Sequence, residues 1–146
     1  MDHKVMSPQE VDAALIGENP ATYVDVRTVA EFSNGHPKGK VVNIPLVFFH
    51  PTSKEVFPNE SFLQVVEDLY PKDAPLIAGC DDGERAQQAA QKLAEAGYTN
   101  ICVMPDGFPG WNKQQLPTTK DNRDGISYVS LLTQVKRKKG KTKAAH

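Results

Sequence analysis

Cysteine is scarce: Cys80 and Cys102 are the two in 146 residues. That is too few for a disulfide-stapled secreted scaffold or a cysteine-rich zinc site. His3, His50 and His146 have no metal-ligand spacing, so no metal centre is predicted. The sequence has no run of about 18 apolar residues, and no transmembrane segment is predicted. The opening MDHKVMSPQE lacks both the cationic and the apolar region of a secretory signal. Internal repeats are also missing. Together these absences predict a soluble protein of a reducing, cytoplasmic compartment.

What is present suffices for a core. Hydrophobic residues make up 39% and charged residues 24%. A chain of this length fits one domain, burying roughly two-thirds of its unfolded surface without covalent staples. The net charge of −1 hides an asymmetry. Six of the 17 basic residues crowd into Lys136, Arg137, Lys138, Lys139, Lys141 and Lys143, leaving residues 1–135 with eleven basic groups against eighteen acids. An acidic body argues against a nucleic-acid-binding face on the folded part. The segment 136–146 has no apolar periodicity and is read as a disordered basic tail of unknown partner; RNA, an anionic membrane and an import receptor stay open.

Along the chain, helical and strand patterns alternate. Ser7-Pro8-Gln9-Glu10 is a capping box with proline at the first helical position, and Thr28-Val29-Ala30-Glu31 is a second capping box. Short β-prone stretches fall at 4–6, 22–26 and 41–44. Residues 46–58 read as a long connection, and Asn59 as the cap of a helix carrying Phe62, Val65, Val66 and Leu69. The apolar run 74–79 reads as a strand buried on both faces. Residues 84–96 are strongly helical, with Gly97 placed to end them. Ile101-Cys102-Val103-Met104 is a last strand, and Asp106 to Trp111 a turn into a short helix or loop. This alternation predicts an α/β fold with a parallel sheet covered on both faces, and ligands outside the carboxyl ends of its strands. Residues 120–135 form a charged linker, then an apolar helical face predicted to dock on the domain.

One loop meets the carboxyl-end rule with a reactive side chain. Cys80 follows the buried strand directly, and Cys80-Asp81-Asp82-Gly83-Glu84-Arg85 leads into the next helix. Such a turn aims backbone N–H groups inward, forming an anion cradle with the helix start. A thiol there is predicted to have its pKa pulled down. Gly83 permits a reversal that a Cβ would obstruct. The competing reading of Cys80 is a buried small hydrophobe at a strand end.

These residues resemble those of the single-domain rhodanese-like sulfurtransferases. Asp25-Val26-Arg27 with Glu31-Phe32, then Gly35-His36-Pro37-Lys38-Gly39 and Asn43-Ile44-Pro45, is similar to the family's first signature. Cys80-x-x-Gly83-x-Arg85 resembles its active-site loop. Asp106-Gly107 with Gly110-Trp111 and Leu116-Pro117 resembles its C-terminal signature, where Gly-Gly is commoner than Asp-Gly. The resemblance covers roughly residues 4–118, so the rhodanese-like domain is read as 1–118, followed by the extension 119–135 with its expected docking helix and the basic tail 136–146. It implies a five-stranded parallel sheet flanked by helices on both faces. It also implies transfer of sulfane sulfur through a persulfide on Cys80, from a small-molecule donor such as thiosulfate or a protein persulfide to a thiol or cyanide acceptor. No cofactor is implied. Four residues separate Cys80 from Arg85, one fewer than in cysteine phosphatases, which disfavours a phosphatase.

The loop departs from the family in its acidity. Asp81, Asp82 and Glu84, with Gly83, line the expected substrate position, so a dianionic donor is predicted to react weakly and better at high salt. The carboxylates also oppose thiolate formation. Arg85 has two readings: it faces the substrate anion, or it is tied to Asp25 or another acid and braces the loop. Arg27 is expected to pair with Glu31. His36 reads as a turn residue, Cys102 as buried and inert, and Trp111 as a packing aromatic. The alternative to an enzyme is a low-activity rhodanese-like module that holds or senses persulfide or binds a partner.

Overall fold

The computed structural model describes residues 4–50, 52–123 and 125–135. In chain order the elements are β1 (Lys4–Val5), α1 (Pro8–Ala14), β2 (Thr22–Asp25), α2 (Val29–Ser33), β3 (His36–Pro37), β4 (Val41–Asn43), β5 (Val47–Phe49) and β6 (Val56–Pro58). There follow α3 (Phe62–Leu69), β7 (Leu76–Gly79), α4 (Glu84–Glu95), β8 (Ile101–Met104), α5 (Gly107–Lys113) and β9 (Thr118–Thr119). Residues 128–135 form a further helix, α6.

Both capping boxes are formed. Ser7 and Thr28 accept from the amides of Glu10 and Glu31, and both glutamates reach back to the cap residue's amide. Each satisfies two helix-start donors within four residues, which makes these starts local properties of the sequence.

The main sheet has the order β1-β8-β7-β2-β4, and every neighbouring pair is parallel. Side chains alternate between two cores. Val24, Val42, Leu76, Ala78, Cys80, Ile101 and Val103 face α3, α4 and α6. Tyr23, Val41, Ile77 and Met104 face α1, α2 and α5, through Val11, Leu15, Phe32 and Trp111. This two-sided burial explains why the strands read as apolar runs rather than as an alternating pattern. Each large aliphatic side chain so enclosed contributes about 1.5–3 kcal/mol.

Three expectations require correction. Residues 46–58 contain a two-stranded antiparallel hairpin, β5–β6, in place of an irregular connection. Asn59 does not cap α3, whose N-cap is Ser61. Its side-chain amide donates to the Pro45 carbonyl at 2.8 Å and to the Tyr128 hydroxyl at 2.9 Å, tying α6 to the sheet edge. Cys102 is half-buried, and it packs on the α1/α5 side of the sheet, opposite the side that holds Cys80.

Beyond residue 118 the chain stays attached to the body. β9 pairs antiparallel with β3, and Tyr128, Leu131 and Val135 are buried in the α3/α4 core. The basic segment 136–146, read as disordered from the sequence, lies outside the described residues. No helix among the described residues is long and apolar enough to cross a membrane.

Candidate active site

The strands end together at one edge. Asp25 lies in register with Asn43 on one side and Gly79 on the other, and Gly79 with Met104. Cys80 is the next residue out from the centre of that edge. The approach to it is tight: a Cβ on Gly79 would stand 1.9 Å from the Tyr23 hydroxyl oxygen, so the Tyr23 side chain crosses where any other residue would place its own.

From Cys80 the loop turns into α4. Gly83 has φ +85°, and a Cβ on it would approach the Pro105 carbonyl oxygen to 2.7 Å. Conformation and space therefore both require glycine. The Phe108 amide donates to the Cys80 carbonyl at 2.8 Å, and a Cβ on Gly107 would meet the Asp81 carbonyl oxygen at 2.2 Å. The segment Pro105–Phe108 thus clamps the loop from below. Asp106 replaces the glycine commoner in the family without disturbing this, because Gly107 is the residue in close approach.

Two amides converge on the sulfur. Gly83 N–H donates to Cys80 Sγ at 3.0 Å and Ala86 N–H at 3.3 Å. The Ala86 donor belongs to the free N–H groups of the first turn of α4. It is a site group that the sequence reading did not name, although the start of a helix at Glu84 implies it. The Cys80 Sγ–H also lies 3.7 Å from Asp82 Oδ1.

Cys80 itself is fully buried, and its titration differs from the expected direction. Burial raises the thiol pKa above its ordinary value, and the amides of Ala86, Gly83 and Asp82 pull it down while the Asp82 charge raises it again. The expected lowering is not found: the cradle is present, but desolvation of the sulfur outweighs it.

The surrounding charges are paired differently from the expectation. Arg27 does not pair with Glu31. Its guanidinium forks onto Asp25, at 2.8–3.2 Å, and also donates to the Gly35 carbonyl at 2.7 Å and to Asp81 Oδ1 at 3.3 Å. The guanidinium lies 4.6 Å from the Phe108 ring centroid. Arg85 binds Glu31 with two bonds, at 2.8 and 3.0 Å, and stands 3.9 Å from Asp81 Oδ2. The physical reason is reach. Arg27 is two residues from Asp25 at the end of one strand, so its short loop returns it there. Arg85, in the first turn of α4, faces α2. Asp81 lies between the two arginines and completes a chain of five charged groups.

Within this chain, burial would raise the Glu31 carboxyl, but Arg85, Asp81 and the Thr28 amide hold it down at about 2. Asp81 is raised, by burial and by its hydrogen bond to Glu31, against the lowering from Arg27 and Arg85. Neither arginine is left over to meet an anion at the loop. Asp82 and Glu84 are exposed on the rim.

The remaining polar residues serve the frame. His36 is buried, stacked on Phe32 at 3.7 Å, with its ring nitrogens 3.0 Å from the Pro37 carbonyl and 2.7 Å from the Asp121 carbonyl. Asn43 Nδ2 donates to the Asp25 and Arg27 carbonyls, both at 3.0 Å, and joins the ends of β2 and β4. Trp111 is fully buried, and its indole N–H donates to the Pro117 carbonyl at 2.8 Å. Among the described residues no group of three or more His, Cys, Asp or Glu side chains is placed to hold a metal ion.

Comparison with known proteins agrees with this architecture. The family model for the rhodanese-like domain matches residues 7–114. The chain is 35% identical over 117 residues to the thiosulfate sulfurtransferase GlpE of Haemophilus influenzae, covering 80% of this chain and 95% of that protein. It is 30% identical over 129 residues to the rhodanese-like domain-containing protein 17 of Arabidopsis thaliana, covering 88% and 81%. The match to the senescence-associated protein DIN1 of Raphanus sativus is 35% identical and spans 65% of this chain but half of that relative. In fold it is similar to the Alr3790 protein of Anabaena sp., with a TM-score of 0.65 at 17% identity, covering 90% of this chain and 89% of the other. By matched model, by sequence and by sheet topology, the chain belongs to the rhodanese-like domain family.

Proposed function

We propose that Cys80 is the nucleophile of a sulfurtransferase, carrying sulfane sulfur as a persulfide between a donor and a thiol or cyanide acceptor. The observation that supports this reading is the pair of amides, Gly83 and Ala86, aimed at Sγ. In the first step the Cys80 thiolate attacks the outer sulfur of thiosulfate. The new S–S bond forms as the old one breaks, and its electron pair leaves on sulfite. The terminal sulfur of the persulfide is anionic, and the cradle stabilises it. An acceptor thiolate then attacks that sulfur and restores the Cys80 thiolate, so ping-pong kinetics follow. Arg85 acts by holding the loop against α2 through Glu31, and Asp81 by bridging the two arginines. Asp82, Gly83 and Glu84 border the place where the donor arrives.

The acidic rim disfavours dianionic donors. With both arginines paired, Asp82 and Glu84 are not offset, and each costs an approaching dianion about 1 kcal/mol. A neutral donor or a protein persulfide suits the rim better than thiosulfate. The described residues between 4 and 135 are read as acting as one body.

A second reading is favoured by the complete burial of Cys80 and its raised pKa: a slow module that holds persulfide for sensing or binding. Intact-mass measurement after incubation with thiosulfate, 3-mercaptopyruvate and inorganic polysulfide separates the cases. A gain of one sulfur atom, lost in Cys80→Ser and removed by cyanide as thiocyanate, is the expected result. A gain that neither cyanide nor a thiol removes supports the holding module. No gain with any donor overturns the sulfur reading.

A further inference from the structure

The β5–β6 hairpin carries four apolar side chains that the body covers only in part: Phe48 is 36% exposed, Phe49 44%, Val56 57% and Phe57 45%. Phe48 opposes Phe57 and Phe49 opposes Val56, so the two pairs stand on opposite faces of the ladder. Such clustering on a two-stranded ribbon is costly in water and marks an interaction surface.

The hairpin stands beside the sulfur loop. The Phe49 ring centroid is 5.6 Å from the Arg85 guanidinium carbon. Gln88 and Lys92 follow Arg85 by three and seven positions and share its side of α4. They face Val47, Pro58, Phe62 and Leu63 across an open groove of about 470 Å³. Around the groove and loop, Glu55, Glu60, Asp82 and Glu84 are exposed, against Lys54 and Lys92. Phe49 and Val56 share the face of Val47 and Pro58, so that face continues into the groove as an apolar surface with an acidic rim, and through Phe49 it adjoins Arg85 of the sulfur loop.

We propose that this hairpin and groove dock a protein sulfur acceptor whose reactive thiol is set among basic and apolar side chains, an inference that rests on the persulfide reading of Cys80. A small anionic donor gains nothing from an exposed phenylalanine and valine ladder, whereas a protein surface buries it. A second copy of this chain is a poorer occupant. A twofold contact places the same patch on both sides, so the same carboxylates would meet each other. A basic partner instead pairs with Glu55, Glu60, Asp82 and Glu84 and is steered toward the loop.

The test uses the full chain loaded with sulfur at Cys80. The acceptors are two synthetic peptides of equal length, each with one cysteine between leucines, flanked by lysines in one and by glutamates in the other; cyanide is the third. At low salt the lysine peptide should take sulfur at least tenfold faster than the glutamate peptide, with the advantage shrinking as salt rises. The substitution Val56→Ser, on the groove face, should slow transfer to the lysine peptide at least fivefold, Phe57→Ser on the opposite face should not, and both should leave the cyanide rate unchanged. Equal rates for the two peptides overturn the proposal. So does a Val56→Ser variant that keeps the wild-type rate, or one whose cyanide rate falls in parallel. Concentration-dependent dimerisation abolished by Val56→Ser reassigns the patch to self-association and also overturns it. A wild-type chain that takes up no sulfur overturns the persulfide reading itself, and that result is seen before any peptide is added.

Discussion

Replacing Glu31 with glutamine removes one charge and little else. The amide oxygen still accepts from Thr28, so the capping box survives. What is lost is the fork of two charge-assisted bonds to Arg85, at 2.8 and 3.0 Å. The guanidinium keeps Asp81 as its nearest acid, at 3.9 Å. A carboxyl held at about 2 instead of 4.5 corresponds to at most about 3.5 kcal/mol of stability at neutral pH. Asp81, shifted upward, contributes with the opposite sign, and solvent screens part of both. The expected net loss is about 1–2 kcal/mol, which lowers Tm by roughly 3–6 °C in a chain of this length. The pH dependence has a definite sign. A lowered folded-state pKa stabilises the fold above the unfolded value near 4.5, and this is lost as pH falls through about 2. Urea unfolding of wild type and Glu31→Gln should therefore differ fully at pH 7, less at pH 3, and barely at pH 2. Equal midpoints at pH 7, or a gap that persists on acidification, would refute the bracing role of this pair.

Three further outcomes follow from the same geometry. Gly107→Ala places a Cβ 2.2 Å from the Asp81 carbonyl oxygen at a residue with φ +68°, so sulfur loading at Cys80 should fall at least tenfold, with a stability loss of about 1–3 kcal/mol by thermal melt; unchanged loading and Tm would contradict the clamp. Single-turnover loading should speed up with rising pH to beyond pH 9, because the thiol is shifted upward and the thiolate is the nucleophile; a plateau by pH 7 would show that the cradle outweighs burial. Loading from thiosulfate should rise with ionic strength while loading from a neutral donor stays flat; equal salt dependence would remove the role given to Asp82 and Glu84.

The features legible in the sequence are those set by neighbouring residues. Both capping boxes act over three positions, the strand at 76–79 is a plain apolar run, and Gly83 follows a cysteine between strand and helix. The features that escaped depend on residues distant in the chain. Arg85 and Glu31 are 54 positions apart, as are Arg27 and Asp81: the bracing role of Arg85 is legible but its acid is not, and the four-residue spacing of Arg27 and Glu31 suggests a pair that the fold does not form. The hairpin was hidden because Phe48, Phe49, Val56 and Phe57 are not packed as a core pattern would have them. The direction of the Cys80 shift depends on how deeply the folded core buries the sulfur, which no local motif reports.

Tyr128, Leu131 and Val135 fill the side of the sheet that also holds Val24, Val42 and Cys80, and Tyr128 is bonded to Asn59. The segment matched by the family model stops at 114, well short of these three. A version shortened to that length would bare hydrocarbon in the core cluster that also holds Cys80. A piece meant to keep this packing has to include residues up to 135.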